Sequence, residues 1–253
     1  MDAATIDRLN HINRDFYRIT ADEFDQTRGE SWPGWNRLLP HLHTPISVLD
    51  VGCGNGRFGL FLAENIGFTS EGQGSTGHEG ERQGVRILFY HGIDSSPALL
   101  NHARTALENI PAIQWTLEEC DIIENPPDNG DYDLVVLFGV MHHIPGYAER
   151  QMFIRKLAER VKSGGLLAFA CWRFYEYERF RRRITPWPDD ITVEAGDYLL
   201  DWRRGETALR YCHYVDDAEH AALIAASGLR EILTYRADGQ TGDANRYSIL
   251  EKL

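Results

Sequence analysis

Long apolar runs are missing from this sequence. Nothing approaches the roughly 20 consecutive apolar residues that a membrane-spanning helix needs. Met1-Asp-Ala-Ala has neither the basic start nor the apolar core of an export signal. A soluble, cytoplasmic protein with no membrane partner is expected. Cysteine is scarce: Cys53, Cys120, Cys171 and Cys212 stand singly, without Cys-x-x-Cys spacing. Neither a zinc site nor a disulfide framework is expected, and no metal is assigned. Positive charge is short as well. Lys and Arg number 26 against 38 Asp and Glu, a net charge of -12. That balance argues against broad, nonspecific adhesion to nucleic acid, while a local basic patch stays open. There is no internal repeat. What the chain does have is 43% hydrophobic residues over 253 positions, enough to pack one large α/β domain spanning residues 1–253.

The most informative stretch is Ile46-Ser-Val-Leu-Asp50-Val-Gly52-Cys-Gly54-Asn-Gly56-Arg57-Phe58. Ile46, Val48, Leu49 and Val51 read as a buried strand, three glycines follow at alternate positions, and a helical pattern starts at Phe58. Strand, glycine turn and helix make the nucleotide-binding corner of a doubly wound α/β sheet, where ligands sit beyond the carboxyl ends of the strands. The spacing is Asp-x-Gly-x-Gly-x-Gly, not the dinucleotide pattern Gly-x-Gly-x-x-Gly. An acid at the strand end would crowd a pyrophosphate but suits the ammonium group of a methionine moiety. The segment resembles motif I of the class I methyltransferases that use S-adenosylmethionine (SAM). That resemblance implies SAM as cofactor, held around Asp50, Gly52, Cys53, Gly54, Asn55 and Gly56. A glycine turn with no ligand is the alternative.

The remaining chain fits a seven-stranded, mostly parallel sheet. Ile6, Leu9, Ile12, Phe16 and Ile19 recur at helical spacing within residues 5–29, and a helix carrying Trp35, Leu38 and Leu39 is expected after Pro33. Residues 1–40 form an N-terminal helical lid in this reading. Residues 67–84, with six glycines, read as a flexible insertion. A second strand at 85–94 ends in Asp94, the place where such folds put a ribose-binding acid. The competing role is a helix N-cap, for which Ser95 and Ser96 ahead of Pro97 are rivals. A third strand leads to Asp121, whose setting resembles an adenine-contacting motif. The fourth, Asp131–Pro145, includes Gly139 and emerges into the crevice with His142 and His143. Tyr147–Val161 reads as a helix, Lys162–Gly165 as its stop and Leu166–Trp172 as the fifth strand. Residues 173–210, aromatic and basic together, break the alternation as a substrate-recognition insertion. A last helix at 218–227 and an antiparallel pair at 229–236 and 245–250 close the sheet. Tyr17 and Ser95 complete the cofactor set with Asp94, Asp121 and Gly139.

Several words resemble one family, the tRNA methyltransferases that esterify a carboxymethyl group on the wobble uridine, alone or joined to an AlkB-type dioxygenase. These are Phe24-Asp-Gln-Thr-Arg28 with Trp32-Pro33, Val140-Met-His-His-Ile144, Gly196-Asp-Tyr-Leu-Leu-Asp-Trp202, Arg210-Tyr-Cys-His213 and the terminal Gly242–Lys252. The resemblance implies a carboxylate acceptor on tRNA and a small zinc-containing activator protein. A carboxylate is already ionised at neutral pH, so the site must orient it more than activate it. Arg28, His142, His143, Arg210, Tyr211 and His213 are the candidate donors that grip it. For Arg28 a surface ion pair is the rival, and for either histidine a satisfied strand-end side chain. The arginines at 179, 181, 182 and 183, joined by Arg203, Arg204 and Arg210, form either a phosphate-binding patch or a solvated face balanced by Glu176 and Glu178. Two other functions stay open: methylation of a small carboxylic acid, and SAM binding without catalysis.

Overall fold

A computed structural model describes residues 1–27, 29–66, 88–204 and 206–253. The glycine-rich insertion at 67–84 lies outside them. Strands β1 (Ile46–Val51), β2 (Leu88–Asp94), β3 (Ile113–Glu119), β4 (Tyr132–Phe138) and β5 (Val161–Trp172) are parallel, and β9 (Arg230–Ala237) and β10 (Asn245–Glu251) complete one sheet. Its order is β3-β2-β1-β4-β5-β10-β9, with β10 antiparallel to both neighbours. After a short helix α5 (Glu178–Arg181), three more strands, β6 (Ile184–Thr185), β7 (Asp197–Arg204) and β8 (Glu206–His213), pair antiparallel in a separate small sheet. Among the described residues no helix is long and apolar enough to cross a membrane.

The central strands are apolar throughout because both faces are covered. Alternate residues of a strand point to opposite faces. Val48, Leu134, Val136 and Ala168 therefore pack with Phe58, Phe61 and Leu62 of α2 (Arg57–Ile66) and Leu100 and Leu107 of α3 (Pro97–Leu107). Leu49, Val135, Leu137 and Phe169 meet Phe153 and Leu157 of α4 (Tyr147–Glu159) and Leu223 of α6 (Asp217–Ser227) on the other side. Local signals set the helix ends: Ser96 caps α3 through Leu99 N, Asp216 caps α6 through Glu219 N, and Gly228 ends α6 at φ 68°. Since β1 lies between β2 and β4, the chain crosses in opposite directions from it. The carboxyl ends of β1 and β4 thus open a crevice at the switch point.

Some boundaries differ from expectation. Helix α1 (Ala3–Gln26) stops short of residue 29, and the helix expected around Trp35 is two 3-10 turns, Pro33–Arg37 and Leu39–His41. Pro40 lacks the N–H group that an α-helix continuing from Pro33 would use. Strand β5 starts at Val161, with a register shift before Leu166, so the Lys162–Gly165 stop lies inside the strand. The insertion reaches past residue 210 because β8 pairs with β7 as far as His213. α1 lies across this small sheet, with Phe16 packed between Trp202 and Ala208.

Candidate active site

A single cavity of about 450 Å³ runs from the tips of β1 and β2, beneath α1, to the small sheet. At the first end, Gly52, Gly54 and Gly56 all have positive φ (74°, 54° and 75°), the region that favours glycine. The N–H groups of Gly52 and Cys53 donate to the Ile93 carbonyl, which ties the turn to β2. A Cβ on Gly52 would stand 2.3 Å from Val140 Cγ2, whereas one on Gly54 would meet nothing within 4 Å. The Gly54 backbone is therefore bare toward the cavity. Gly56 does not line it. Its missing side chain lets α3 approach, since a Cβ would lie 3.2 Å from Ala103 Cα. Gly56, expected among the cofactor-binding residues, thus stands against α3 and not in the cavity lining.

Carboxylates dominate this end. Asp94 accepts from Gly54 N and Ser96 N, each at 2.9 Å, while Ser96, not Asp94, caps α3. Burial holds Asp94 above the usual carboxylate range despite those donors. Asp50 accepts from Tyr90 Oη at 2.6 Å, and burial, with the nearby Asp94 charge adding to it, raises its carboxyl to about 7. Asp121 accepts from Asn10 Nδ2 (2.9 Å) and Arg14 Nη1 (3.1 Å) of α1 and from Ile123 N (3.0 Å). Asn55 donates to Asp25 of α1 at 2.8 Å. Ser95, Cys53 and Gly139 also line the cavity, with Leu99 and Ile122 as apolar walls. Three acids, a bare glycine backbone and apolar flanks suit a cationic nucleoside of SAM's kind.

Beyond the β4 tip, His142, His143, Tyr17 and Arg210 line the cavity. His143 Nδ1 lies 3.0 Å from the Tyr211 carbonyl and Nε2 3.0 Å from Tyr17 Oη. Burial and the Arg210 charge depress His143 to about 3, so its ring is neutral. Arg210 is buried, its guanidinium 4.8 Å from the ring centre of Trp172, 5.4 Å from Phe16 and 5.9 Å from Trp202. Among the described residues it has no hydrogen bond or ion pair. Arg179 and Arg183 stand at the same end of the cavity.

Tyr211 and His213 do not line the cavity. Both are buried behind it, where Tyr211 Oη and His213 Nδ1 bond Asp197 Oδ1 at 2.8 and 2.7 Å. Side chains one and three positions beyond Arg210 on a strand point to the opposite face. Arg28 lies outside the described residues. His142, His143 and Cys212 bring possible ligand atoms within 4.8 Å of one another. Both His143 nitrogens are engaged, however, and burial raises the Cys212 thiol to about 11, a poor set for a cation. Sequence reasoning missed Trp172, Phe180, Asp238 and Asn245 in the lining. Nothing in their spacing marks them, since they come from strand ends and turns far apart in the chain.

Residues 49–167 match the methyltransferase domain family. The fold and this cleft are shared with class I SAM-dependent methyltransferases. Solved structures share the fold: a SAM-dependent methyltransferase of Methanosarcina mazei (TM-score 0.63, 19% identity, 88% of this chain and 99% of that one) is one. The magnesium protoporphyrin IX methyltransferase of Synechocystis, with S-adenosylhomocysteine bound, is another (TM-score 0.61, 16% identity, 96% and 99%). By sequence the chain is 26% identical to a candidate methyltransferase of Encephalitozoon cuniculi over 94% of this chain and 93% of that protein. It is 24% identical to the tRNA (carboxymethyluridine(34)-5-O)-methyltransferases of mouse and of yeast, over 64% and 62% of this chain. Those matches span 20% of the mouse protein and 46% of the yeast one.

Proposed function

We propose that the protein transfers the methyl group of SAM to a carboxylate, and that this carboxylate is the carboxymethyl group on the wobble uridine of tRNA. The observation that carries the carboxylate is Arg210, a buried cation that faces the cavity with aromatic contacts and no anion among the described residues. Burying an ion costs several kcal/mol unless a counter-charge returns it. An acceptor carboxylate supplies that counter-charge, and the planar guanidinium holds it in a fixed orientation.

SAM, when bound, supplies an electrophilic methyl on a sulfonium. In this reading Asp50 faces its ammonium group, Asp94 accepts from the ribose hydroxyls, and Leu99 and Ile122 flank the adenine. Arg210 holds one carboxylate oxygen while the other is aimed at the methyl carbon at about 3–3.5 Å. The new bond is O–CH3, the broken one S–CH3, and no proton moves. That fits a neutral His143 whose ring nitrogens are both committed, since a carboxylate needs no base.

The names of the mouse and yeast relatives support the tRNA part, as do the exposed arginines at 181, 182 and 183 beside the cavity's outer end. A second reading, a small carboxylic acid as acceptor, has the net charge of -12 in its favour, since such a surface repels a polyanion. The test is labelled SAM with three acceptors: an anticodon stem-loop carrying 5-carboxymethyluridine, the same RNA with plain uridine, and a panel of small acids. Each is run with and without a small zinc-containing activator protein. Alkali-labile label on the first RNA alone is the expected result. Label on small acids only transfers the conclusion to the second reading, and alkali-stable label sinks the carboxylate.

A further inference from the structure

Behind the cavity wall lies a chain of buried charges none of whose side chains lines the cavity. Arg150 Nε donates to Glu219 Oε1 at 2.6 Å, and Arg150 Nη1 to the Ile144 carbonyl at 3.0 Å. Glu219 Oε2 lies 2.6 Å from His213 Nε2, and His213 Nδ1 lies 2.7 Å from Asp197 Oδ1. Both neighbours of the imidazole are carboxylates, which only accept, so both ring nitrogens carry protons. Burial opposes that charge, but the two carboxylates outweigh it and raise His213 above its ordinary value. The charges of Arg150, Glu219, His213 and Asp197 sum to zero, and Arg150 is 0% exposed. Well-packed apolar residues often serve stability as well as such a cluster does, so its presence asks for another role.

Its near end backs the cavity-lining Ile144 through Arg150, and its far end reaches the active site through Tyr211. Asp197 Oδ1 also accepts from Tyr211 Oη at 2.8 Å, and Tyr211 N donates to Asn13 Oδ1 of α1 at 2.9 Å. The Tyr211 carbonyl faces His143 Nδ1. A carbonyl only accepts, so the single proton of the neutral His143 ring sits on Nδ1. Nε2 is then bare, and the Tyr17 hydroxyl donates to it. Had the proton been on Nε2, Tyr17 would have to turn its own hydrogen away and Tyr211 would face a lone pair.

We propose that the Arg150–Glu219–His213–Asp197 chain is a positioning element for the methyl-donor site. Through Tyr211 it dictates which nitrogen of His143 carries the proton, and the bare Nε2 so created anchors Tyr17, and with it α1, across the cavity. α1 matters to the donor because its Asn10 and Arg14 hold Asp121 and its Asp25 holds Asn55. The proposal rests on SAM as methyl donor and is independent of the acceptor.

The test uses the full chain and two readouts other than turnover. Long-range proton–nitrogen correlation spectra report the His143 tautomer, and calorimetry reports SAM and S-adenosylhomocysteine affinity. The wild type should show the Nδ1-protonated form alone. His213→Gln, which keeps one donor and removes the charge, should give a mixed tautomer and weaken SAM about tenfold, the scale of one well-formed hydrogen bond. Tyr17→Phe should weaken SAM by a similar factor, and the double variant by little more than either alone, as parts of one chain behave. If His213→Gln does not fold, Tyr211→Phe, which deletes only the hydroxyl on Asp197, serves in its place. An Nε2-protonated His143 in the wild type overturns the proposal. So do variants that melt earlier yet keep both tautomer and SAM affinity. Wild-type protein that fails to bind SAM would instead indict the methyl-donor reading itself.

Discussion

Two buried arginines give the sharpest prediction. Arg150 and Arg210 are 0% and 8% exposed, yet their surroundings differ in kind. Arg150 is matched by Glu219, by Glu194 at 3.4 Å and by the Ile144 carbonyl. Among the described residues Arg210 meets three aromatic rings and no anion. Methionine is of comparable length and apolar, so Arg→Met at each site keeps much of the packing and removes the charge. At residue 150 it takes from Glu219 one of its two cationic partners and leaves only His213, and breaking a buried pair in that way costs about 3–5 kcal/mol. For a chain of this size that is a fall of roughly 6–20 °C in melting temperature. At residue 210 the substitution forfeits cation–π contacts of about 0.5–2 kcal/mol each. It also removes an ion whose burial costs several kcal/mol, so the terms nearly cancel. Arg210→Met should thus stay within about 1 kcal/mol of wild type in stability. Transfer is where it should fail. Losing a desolvated charge contact to the acceptor costs about 2–5 kcal/mol, so kcat/KM should drop roughly 30- to 5,000-fold. SAM affinity should hardly move. Calorimetric melting of both variants and labelled-methyl turnover of Arg210→Met make the comparison. If Arg210→Met melts as early as Arg150→Met, or turns over normally, Arg210 is a structural cation and the carboxylate argument falls with it.

Three further outcomes follow from the donor end. Burial raises Asp50 to about 7, and a bound cation favours its ionised form. SAM binding should therefore release a proton below that pH and weaken by up to about tenfold per unit as pH falls, whereas a flat affinity between about pH 5.5 and 8 would remove Asp50 from the site. Asp94→Ala should weaken SAM at least about tenfold by calorimetry, through loss of its charge and of its bond to Gly54 N; unchanged binding would refute the ribose role. Gly52→Ala forces a side chain into φ 74° and 2.3 Å from Val140 Cγ2. Urea unfolding should read a loss of about 2–4 kcal/mol, and a neutral result would mean the turn relaxes.

Much of the sheet was legible because buried parallel strands read as continuous apolar runs, and because Asp50, Asp94 and His142–His143 stand where such runs end. Phase was harder to read. Arg210-Tyr-Cys-His213 reads as a cluster of donors, but only a strand assignment shows that Arg210 faces one way and Tyr211 and His213 the other. Without the β7 pairing, nothing distinguishes a strand there from a lead-in to α6. Gly56 sits at the ligand motif's spacing, yet the approach of Ala103 that it permits comes from α3, some 47 residues on. The aromatic walls were invisible for the same reason: Phe16, Trp172 and Trp202 meet around Arg210 from three separate elements. Position along the chain carries no trace of such a meeting.

The bond from Tyr211 N to Asn13 joins residues 198 positions apart. During synthesis the first four parallel strands can pair long before residue 211 leaves the ribosome, while α1, though it can already meet Asp121 and Asn55, still lacks the small sheet against which Phe16 packs. Closing so long a loop is a late event in any folding order. The Rossmann-like half can thus exist as a folded body before its methyl-donor pocket has a roof. A nascent chain arrested short of β8 should be compact and protease-resistant through β4, yet unable to retain SAM.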